Sequence, residues 1–149
     1  MDQLLNPSFM KDPPVKLDIP AKTLGLVCAI LGAIGTFFGL FGLLGISALG
    51  AVAGVGGLVI LGVLIGAIGT ALSAWGGYRM YQGDRGGKGI VIYGLVANSL
   101  GNLIAGLGTG GIINWIINTA FLFVIYYLVV ISRFEGDPKV VSTTPPGAS

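Results

Sequence analysis

The residues that most often carry chemistry in proteins are scarce in this sequence. It has no histidine, one cysteine and a charged fraction of only 9% in 149 residues. Without histidine, the chain cannot offer the commonest metal ligand or a histidine general base. Its single cysteine, Cys28, cannot form a disulfide within the chain. Its eight Lys and Arg residues form no basic run, so we expect no nucleic-acid partner.

Charged side chains are absent altogether from two long stretches, Thr23–Tyr78 and Gly89–Ser132. Neither stretch can contain a carboxylate pair or a proton relay, and their serine hydroxyls have no base to activate them. Metal centres built from carboxylate or imidazole ligands are excluded there for the same reason. We therefore predict a protein that is not an enzyme and that has no catalytic residues, no metal site and no cofactor.

The same two stretches have the composition of membrane spans. The chain is 54% hydrophobic with a mean hydropathy of +0.90, which is typical of an integral membrane protein. A helix crosses the bilayer core with about 20 apolar residues, so each stretch is long enough for two crossings. The first has a break near Gly50 and the second has a glycine-rich break at Gly106–Gly111. We predict four transmembrane helices, at about residues 21–49, 51–80, 89–105 and 112–131.

The predicted fold class is an all-α membrane protein whose four helices form two glycine-rich antiparallel hairpins with short loops. Residues 21–132 make up this domain, between a polar N-terminal segment (1–20) and a flexible C-terminal tail (133–149). Charged side chains lie in or beside those two segments or in the Arg79–Lys88 loop. With four crossings these regions share one side of the membrane, which the positive-inside rule makes cytoplasmic. Because many small bacterial membrane proteins have this form, we expect the bacterial cytoplasmic (plasma) membrane, with both termini cytoplasmic.

Glycine recurs at intervals of three or four along the first two predicted helices and marks one face of each. Two of these intervals are GxxxG motifs, Gly35–Gly39 and Gly62–Gly66. Lipid tails are as apolar as leucine, so membrane helices associate where small residues let their backbones approach. The two sets are symmetrical about Gly50–Ala51, which predicts that they face each other at equal depth. The predicted packing glycines are Gly25, Gly32, Gly35, Gly39, Gly62, Gly66, Gly69 and Gly76.

Four asparagines in the second uncharged stretch are also symmetrically arranged. Asn98 and Asn102 share one face of the third helix, and Asn114 and Asn118 share one face of the fourth. With the turn centred on Gly108, Asn98 has the depth of Asn118, and Asn102 has the depth of Asn114. One interpretation is a clamp, in which the amides hydrogen-bond across the hairpin. The other is a polar lining for ions, water or a ligand.

These patterns favour a structural role over a chemical one. We expect a non-catalytic membrane protein that is a structural or assembly subunit of a larger complex. Its partners are then the lipid bilayer and either other membrane protein subunits or further copies of itself, since its aromatic and small-residue faces suit helix–helix contact. The alternative is a small oligomeric channel or transporter component whose polar path is the stripe Asn98, Asn102, Asn114 and Asn118.

Overall fold

The computed structural model describes residues 17–53, 56–109 and 111–137, without the side chains of residues 46–53. Its four helices are α1 (Ala21–Ala53), α2 (Gly57–Tyr81), α3 (Gly86–Thr109) and α4 (Ile112–Ile131). Each contains a segment that is long and apolar enough to cross a membrane. The predicted all-helical architecture with four candidate membrane spans is therefore confirmed.

The first hairpin turns later than predicted. Helix α1 continues through Gly50 to Ala53, and α2 begins only at Gly57. The predicted helix boundary between residues 49 and 51 is therefore wrong. Glycine lowers helix propensity by roughly 1 kcal/mol but keeps its backbone hydrogen bond, so one glycine in an apolar run is too weak a signal to end a helix.

Helix α3 is longer than predicted at both ends. At its start, the Gly86 amide donates to Asp84 Oδ1 at 2.8 Å and the Gly87 amide donates to the Asp84 carbonyl oxygen at 3.1 Å. At its end, the Thr109 hydroxyl donates to the Ala105 carbonyl oxygen at 3.2 Å, inside the segment predicted to be a break. These bonds satisfy free backbone groups at the helix ends, so the predicted bounds of 89 and 105 are wrong.

Helix α1 packs on α2 through small residues whose backbones nearly touch. A β-carbon added at Gly32 would lie 2.5 Å from the Ala74 amide nitrogen, and one at Gly25 would lie 2.7 Å from the Gly77 carbonyl oxygen. A larger residue does not fit at either place, which is how small residues let membrane helices approach. The interface joins Gly25, Gly32, Gly35 and Gly39 of α1 to Ala67, Thr70, Ala74 and Gly77 of α2.

Helix α2 packs on α3 through three reciprocal glycine pairs. A β-carbon added to either glycine of a pair would lie 2.5 to 2.8 Å from the carbonyl oxygen of the other. The glycine α-hydrogen that occupies the β-carbon position points at this carbonyl oxygen. Such Cα–H···O contacts recur at close helix–helix interfaces. On each helix the three glycines repeat every two turns and form one row. The pairs are Gly62–Gly101, Gly69–Gly94 and Gly76–Gly87.

The predicted pairing of the α1 glycines with the α2 glycines is therefore wrong. Gly62, Gly69 and Gly76 belong to the α3 interface, and Gly101 of α3 also approaches the Gly66 backbone. Helix α1 instead contacts a second row of small residues on α2. Symmetry in residue numbers fixes the depth of a residue, but it does not fix the rotation of a helix about its axis.

All four helices meet in an apolar core at the end of the bundle that carries the charged residues. Met80 and Val129 are completely buried there. The core consists of Ala21, Leu24, Cys28, Met80, Val91, Ile92, Leu95, Val129 and Val130. Next to it, the Ala21 amide donates to the Arg133 carbonyl oxygen at 2.6 Å, and the Arg133 amide donates to the Ile19 carbonyl oxygen at 3.0 Å. The segments that flank the bundle are thus joined.

At the opposite end of the bundle, α1 and α4 are loosely packed, whereas α2 still packs on α3, where a β-carbon added at Gly108 would lie 2.7 Å from the Val59 side chain. Added β-carbons at Gly42, Gly45 and Gly57 would meet no atom of the described chain within 4 Å. On α4, Ile113 is 76% exposed and Ile117 is 65% exposed. Helix α4 therefore contacts the other helices mainly toward the charged end and leaves the interior open toward the other end.

Candidate functional site

A crevice of about 170 Å³ lies between α1, α2 and α3, and it is partly open at the protein surface. At about 30 Å³ per molecule, its volume corresponds to roughly five waters. Most of the residues around it are small, so backbone atoms form much of its wall. Its lining consists of Gly35, Gly39, Gly62, Val63, Gly66, Ala67, Thr70, Asn98, Gly101, Asn102 and Ala105.

The crevice exists because glycines on three helices leave the space between them unfilled. A β-carbon added at Gly66 would meet no atom of the described chain within 4 Å, whereas one at Gly69 would overlap the Asn98 amide nitrogen. Gly66 is therefore the floor of the crevice, and Gly69 belongs to the tight α2–α3 contact. On α1, Gly35 and Gly39 add no side chain to the opposite wall.

Two amide side chains, those of Asn98 and Asn102, line the crevice together with the Thr70 hydroxyl, which bonds to the Ala67 carbonyl oxygen. Asn102 Nδ2 donates to Asn98 Oδ1 at 2.7 Å and to the Asn98 carbonyl oxygen at 2.8 Å. Within the described residues, Asn98 Nδ2 has no acceptor and Asn102 Oδ1 has no donor. Asn98 therefore keeps an amide donor, and Asn102 an amide acceptor, that no described residue uses.

A pair of threonines joins α1 to α2 at the edge of the crevice. Thr36 Oγ1 lies 2.7 Å from the Gly32 carbonyl oxygen and 3.2 Å from Thr70 Oγ1, and Thr70 Oγ1 donates to the Ala67 carbonyl oxygen at 2.9 Å. The sequence prediction missed this pair. Its signal is the pentapeptide Gly-Ala-Ile-Gly-Thr, which occurs at residues 32–36 and 66–70 and ends on these two threonines.

The predicted asparagine pairs across the second hairpin are not formed. Asn98 and Asn102 bond to each other within α3. Asn114 is exposed, and Asn118 Oδ1 is buried without a hydrogen-bond partner in the described part of the chain. Of the four predicted stripe residues, the crevice thus includes the two on α3 and neither of those on α4.

Other side chains make the hydrogen bonds between α3 and α4. Ser99 Oγ lies 3.0 Å from Thr119 Oγ1, and Trp115 Nε1 donates to the Ser99 carbonyl oxygen at 3.1 Å. In a hairpin centred on Gly108, residue 117 is the α4 residue at the depth of Ser99. The two residues that Ser99 contacts, Trp115 and Thr119, lie on either side of that position. The helices are therefore in the predicted depth register, but α4 is rotated so that its asparagines do not face those of α3.

A wider groove of about 470 Å³ lies between α3 and α4. Bulky side chains hold these two helices apart, in contrast to the glycines between α2 and α3. Its mostly apolar lining consists of Ile92, Leu95, Val96, Ser99, Leu100, Thr119, Leu122, Phe123 and Tyr126. At 100° per residue, Asn114 and Asn118 lie on the opposite flank of α4 from Thr119 and Phe123.

Charged side chains hold the segment after α4 against the bundle. Lys88 Nζ donates to the Val130 carbonyl oxygen at 3.3 Å and to the Ser132 carbonyl oxygen, and it lies 5.4 Å from the centre of the Phe134 ring. Lys88 of α3 therefore caps the C-terminus of α4, where a cation is favourable. Exposed ion pairs around this end are Lys22–Glu135, Arg79–Asp84 and Arg85–Asp137.

No protein-family model, curated protein or solved structure matches this chain. Among the described residues, no three His, Cys, Asp or Glu side chains are grouped so that they could hold a metal ion. Function is therefore inferred from the chemistry of the crevice and of the helix surfaces alone.

Proposed function

We propose that this protein is a small, non-catalytic integral membrane protein that acts as a structural or assembly subunit and packs against other membrane proteins in a larger complex. The observation that carries the proposal is the partly open crevice with its unused donor on Asn98 and unused acceptor on Asn102. Lipid tails cannot hydrogen-bond to either group. A neighbouring helix that brings a polar side chain into the crevice satisfies both.

The lining of the crevice supports this role by its size and its charge. Small residues surround the amides, so a second backbone can come close, as it does at membrane helix interfaces. The lining residues carry no charge. The group that complements the crevice is therefore neutral and able both to donate and to accept hydrogen bonds, as an amide does.

Aromatic side chains on the outer surface support the same role. Phe37, Phe38 and Phe41 of α1 are each more than half exposed. The Phe37 ring centre lies 5.7 Å from that of Phe38 and 4.6 Å from that of Phe41, so the three rings form a preformed cluster. Such a cluster offers a neighbouring membrane protein a large contact area and has little conformational freedom to lose.

The proposed location is the bacterial cytoplasmic membrane, with the helices as two antiparallel glycine-rich hairpins and both termini in the cytoplasm. The hydrogen bonds between Ala21 and Arg133 and between Arg133 and Ile19 favour termini on one side. The positive-inside rule favours the cytoplasm for that side. A reporter fused after Ala148 should then read as cytoplasmic, and a reporter inserted near Gly50 should read as external.

The role as an assembly subunit is tested by filling the crevice. A tagged chain is extracted from membranes in mild detergent, and the proteins that co-purify in fixed proportion are identified. We expect Gly66→Leu to lose them, because its side chain extends into the crevice, where a β-carbon at this position would meet no atom of the described chain within 4 Å. Gly42→Leu is the matched control, since this glycine also has open space around it but lies outside the crevice. Equal recovery of partners with both variants would contradict the proposal.

A channel or transporter component is the second candidate, favoured by the presence of Asn98 and Asn102 in the crevice lining. A path for ions or water has to continue through the bundle, however, and the completely buried Met80, Val91 and Val129 fill the interior toward the charged end. Ion or water flux into liposomes that contain the purified protein tests this function. Flux that Asn102→Leu abolishes would favour the channel over the assembly subunit.

A further inference from the structure

We infer that the crevice of one copy receives α4 of a second copy, in a twofold dimer where Asn114 of each chain hydrogen-bonds to Asn102 of the other. This inference rests on the proposed function and specifies the partner in it. It follows from the chemistry, the depth and the shape of the two surfaces.

The chemistry of the two surfaces is complementary. The crevice presents an unused amide donor on Asn98 and an unused amide acceptor on Asn102. Asn114 is exposed on α4 and has no hydrogen-bond partner within the described residues. An amide side chain supplies one acceptor and two donor hydrogens, so Asn114 can satisfy both crevice groups at once.

The depth of the two surfaces also matches. The contacts of Ser99 with Thr119 and Trp115 set the register of α3 against α4. In that register Asn114 lies at the depth of Asn102. Copies of a membrane protein share one orientation in the bilayer, so Asn114 of one copy meets Asn102 of another at the same level without tilt or displacement.

The shapes of the two surfaces fit as a ridge fits a groove. Helix α4 contains no glycine and carries large exposed side chains such as Phe121, whereas the crevice is lined largely by glycine. An asparagine side chain has fewer heavy atoms than the roughly five waters for which the crevice has room. A bulky helix of one copy can therefore approach the small-residue face of another closely.

The proposed dimer requires that the crevice and Asn114 lie on the same side of the molecule. A twofold axis along the membrane normal on that side brings each α4 to the crevice of the other copy. The interface is then isologous, because Asn102 contacts Asn114 and Asn114 contacts Asn102. Such an interface closes at two copies and does not extend into a filament.

The test is disulfide trapping between two co-expressed copies with different tags, both carrying Cys28→Ala. One copy carries Asn102→Cys and the other Asn114→Cys, so that only a bond between chains joins the two tags. We expect this pair to form several times more trapped dimer in oxidised native membranes than a control pair of Asn102→Cys with Ile113→Cys. Ile113 is the matched control because it is adjacent in sequence and 76% exposed, but it lies on another face of α4.

A second readout uses chains without introduced cysteines. Asn114→Leu alters only an exposed α4 position, and we expect it to weaken dimerisation in nanodiscs about threefold for each interhelical hydrogen bond lost. Equal trapping of both cysteine pairs, trapping of neither, or dimerisation unchanged by Asn114→Leu would overturn the dimer.

The same experiments separate failure of the dimer from failure of the proposed function. If no dimer is trapped but Gly66→Leu still releases a different membrane protein, the crevice serves an unlike partner, and only the dimer is wrong. If no dimer is trapped and Gly66→Leu releases nothing, both are wrong.

Discussion

Helix α3 has an antiparallel neighbour on each side, and the two contacts are built differently. Toward α2, three glycine pairs such as Gly69–Gly94 bring the two backbones together. Toward α4, bulky side chains leave a groove of about 470 Å³, and Ser99 makes two hydrogen bonds across the interface. In lipid, hydrophobic burial favours neither contact, so the closeness of the backbones decides how firmly two helices associate. The α2–α3 contact is therefore the rigid one, and α4 is the helix with most surface left for a partner.

The largest expected effect comes from breaking the rigid contact at a single glycine. Gly69→Ala adds a β-carbon that overlaps the Asn98 amide nitrogen, which is backbone and cannot rotate away. The two helices must then separate, and we expect a loss of about 3 kcal/mol in the free energy of unfolding, at the upper end of the usual cost of overpacking. Unfolding by denaturing detergent in mixed micelles measures this loss.

Gly66→Ala is the control for that substitution, three residues away on the same helix. Its added β-carbon meets no described atom within 4 Å, so we expect no loss of stability, and a gain of at most roughly 1 kcal/mol from the higher helix propensity of alanine. Equal losses at Gly66 and Gly69 would contradict the claim that close contact with α3 is what makes Gly69 sensitive to substitution.

Removing the hydrogen bonds by which Lys88 anchors the end of α4 should cause the next largest loss of stability. Lys88→Met removes the charged hydrogen bonds to the Val130 and Ser132 carbonyl oxygens but keeps a long apolar side chain. We expect a loss of about 2 kcal/mol, typical of hydrogen bonds to a charged group. The rate of trypsin cleavage at Arg133 reports how often this segment opens, and it should rise.

Arg85→Gln serves as the comparison for Lys88→Met. Arg85 also holds the segment after α4, through an ion pair of 2.6 Å with Asp137, but its side chain is 71% exposed. An exposed pair contributes about 0 to 1 kcal/mol. If Arg85→Gln accelerated cleavage as much as Lys88→Met, ion pairing would matter more than capping of α4.

The smallest effect concerns the polar contact between α3 and α4. A double-mutant cycle of Ser99→Ala and Thr119→Val should give a coupling of about 0.6 kcal/mol, typical of hydrogen bonds between membrane helices. The same cycle with Asn98→Leu and Asn118→Leu should give no coupling in the monomer, because these side chains do not bond to each other. Coupling between Asn98 and Asn118, with none between Ser99 and Thr119, would contradict the rotation of α4 about its axis that is described above.

The sequence was sufficient to predict the number of helices and the depth of residues along them, because both follow from hydropathy and from the rise per residue. It was not sufficient to predict the rotation of α2. That helix has two rows of small residues, one with Gly69 and one with Ala74, and either could face α1. The regular spacing of Gly62, Gly69 and Gly76 is matched by that of Gly87, Gly94 and Gly101. This shared repeat is the signal that assigns the first row to α3.

The crevice was only half predictable for a related reason. Asn98 and Asn102 stand out in an uncharged stretch, so they could be named as candidates from the sequence. Gly66 could be named only as a packing residue, because its role as the floor depends on how far apart α1 and α3 lie across α2. No periodicity in the sequence reports that distance, since α1 and α3 are not sequence neighbours.

The central claim is that the crevice is a surface for assembly within the membrane, and the mass of the intact protein tests it most directly. Native mass spectrometry of protein ejected from membranes or nanodiscs counts the chains in each particle, and one chain has a mass of 15.2 kDa. We predict that the natural sequence is released with at least one further protein chain, and that Gly66→Leu is released as a single chain that is still folded, as its cooperative thermal unfolding would show. A natural sequence that is released only as a single chain, or a folded Gly66→Leu variant in the same assembly as the natural sequence, would contradict that claim.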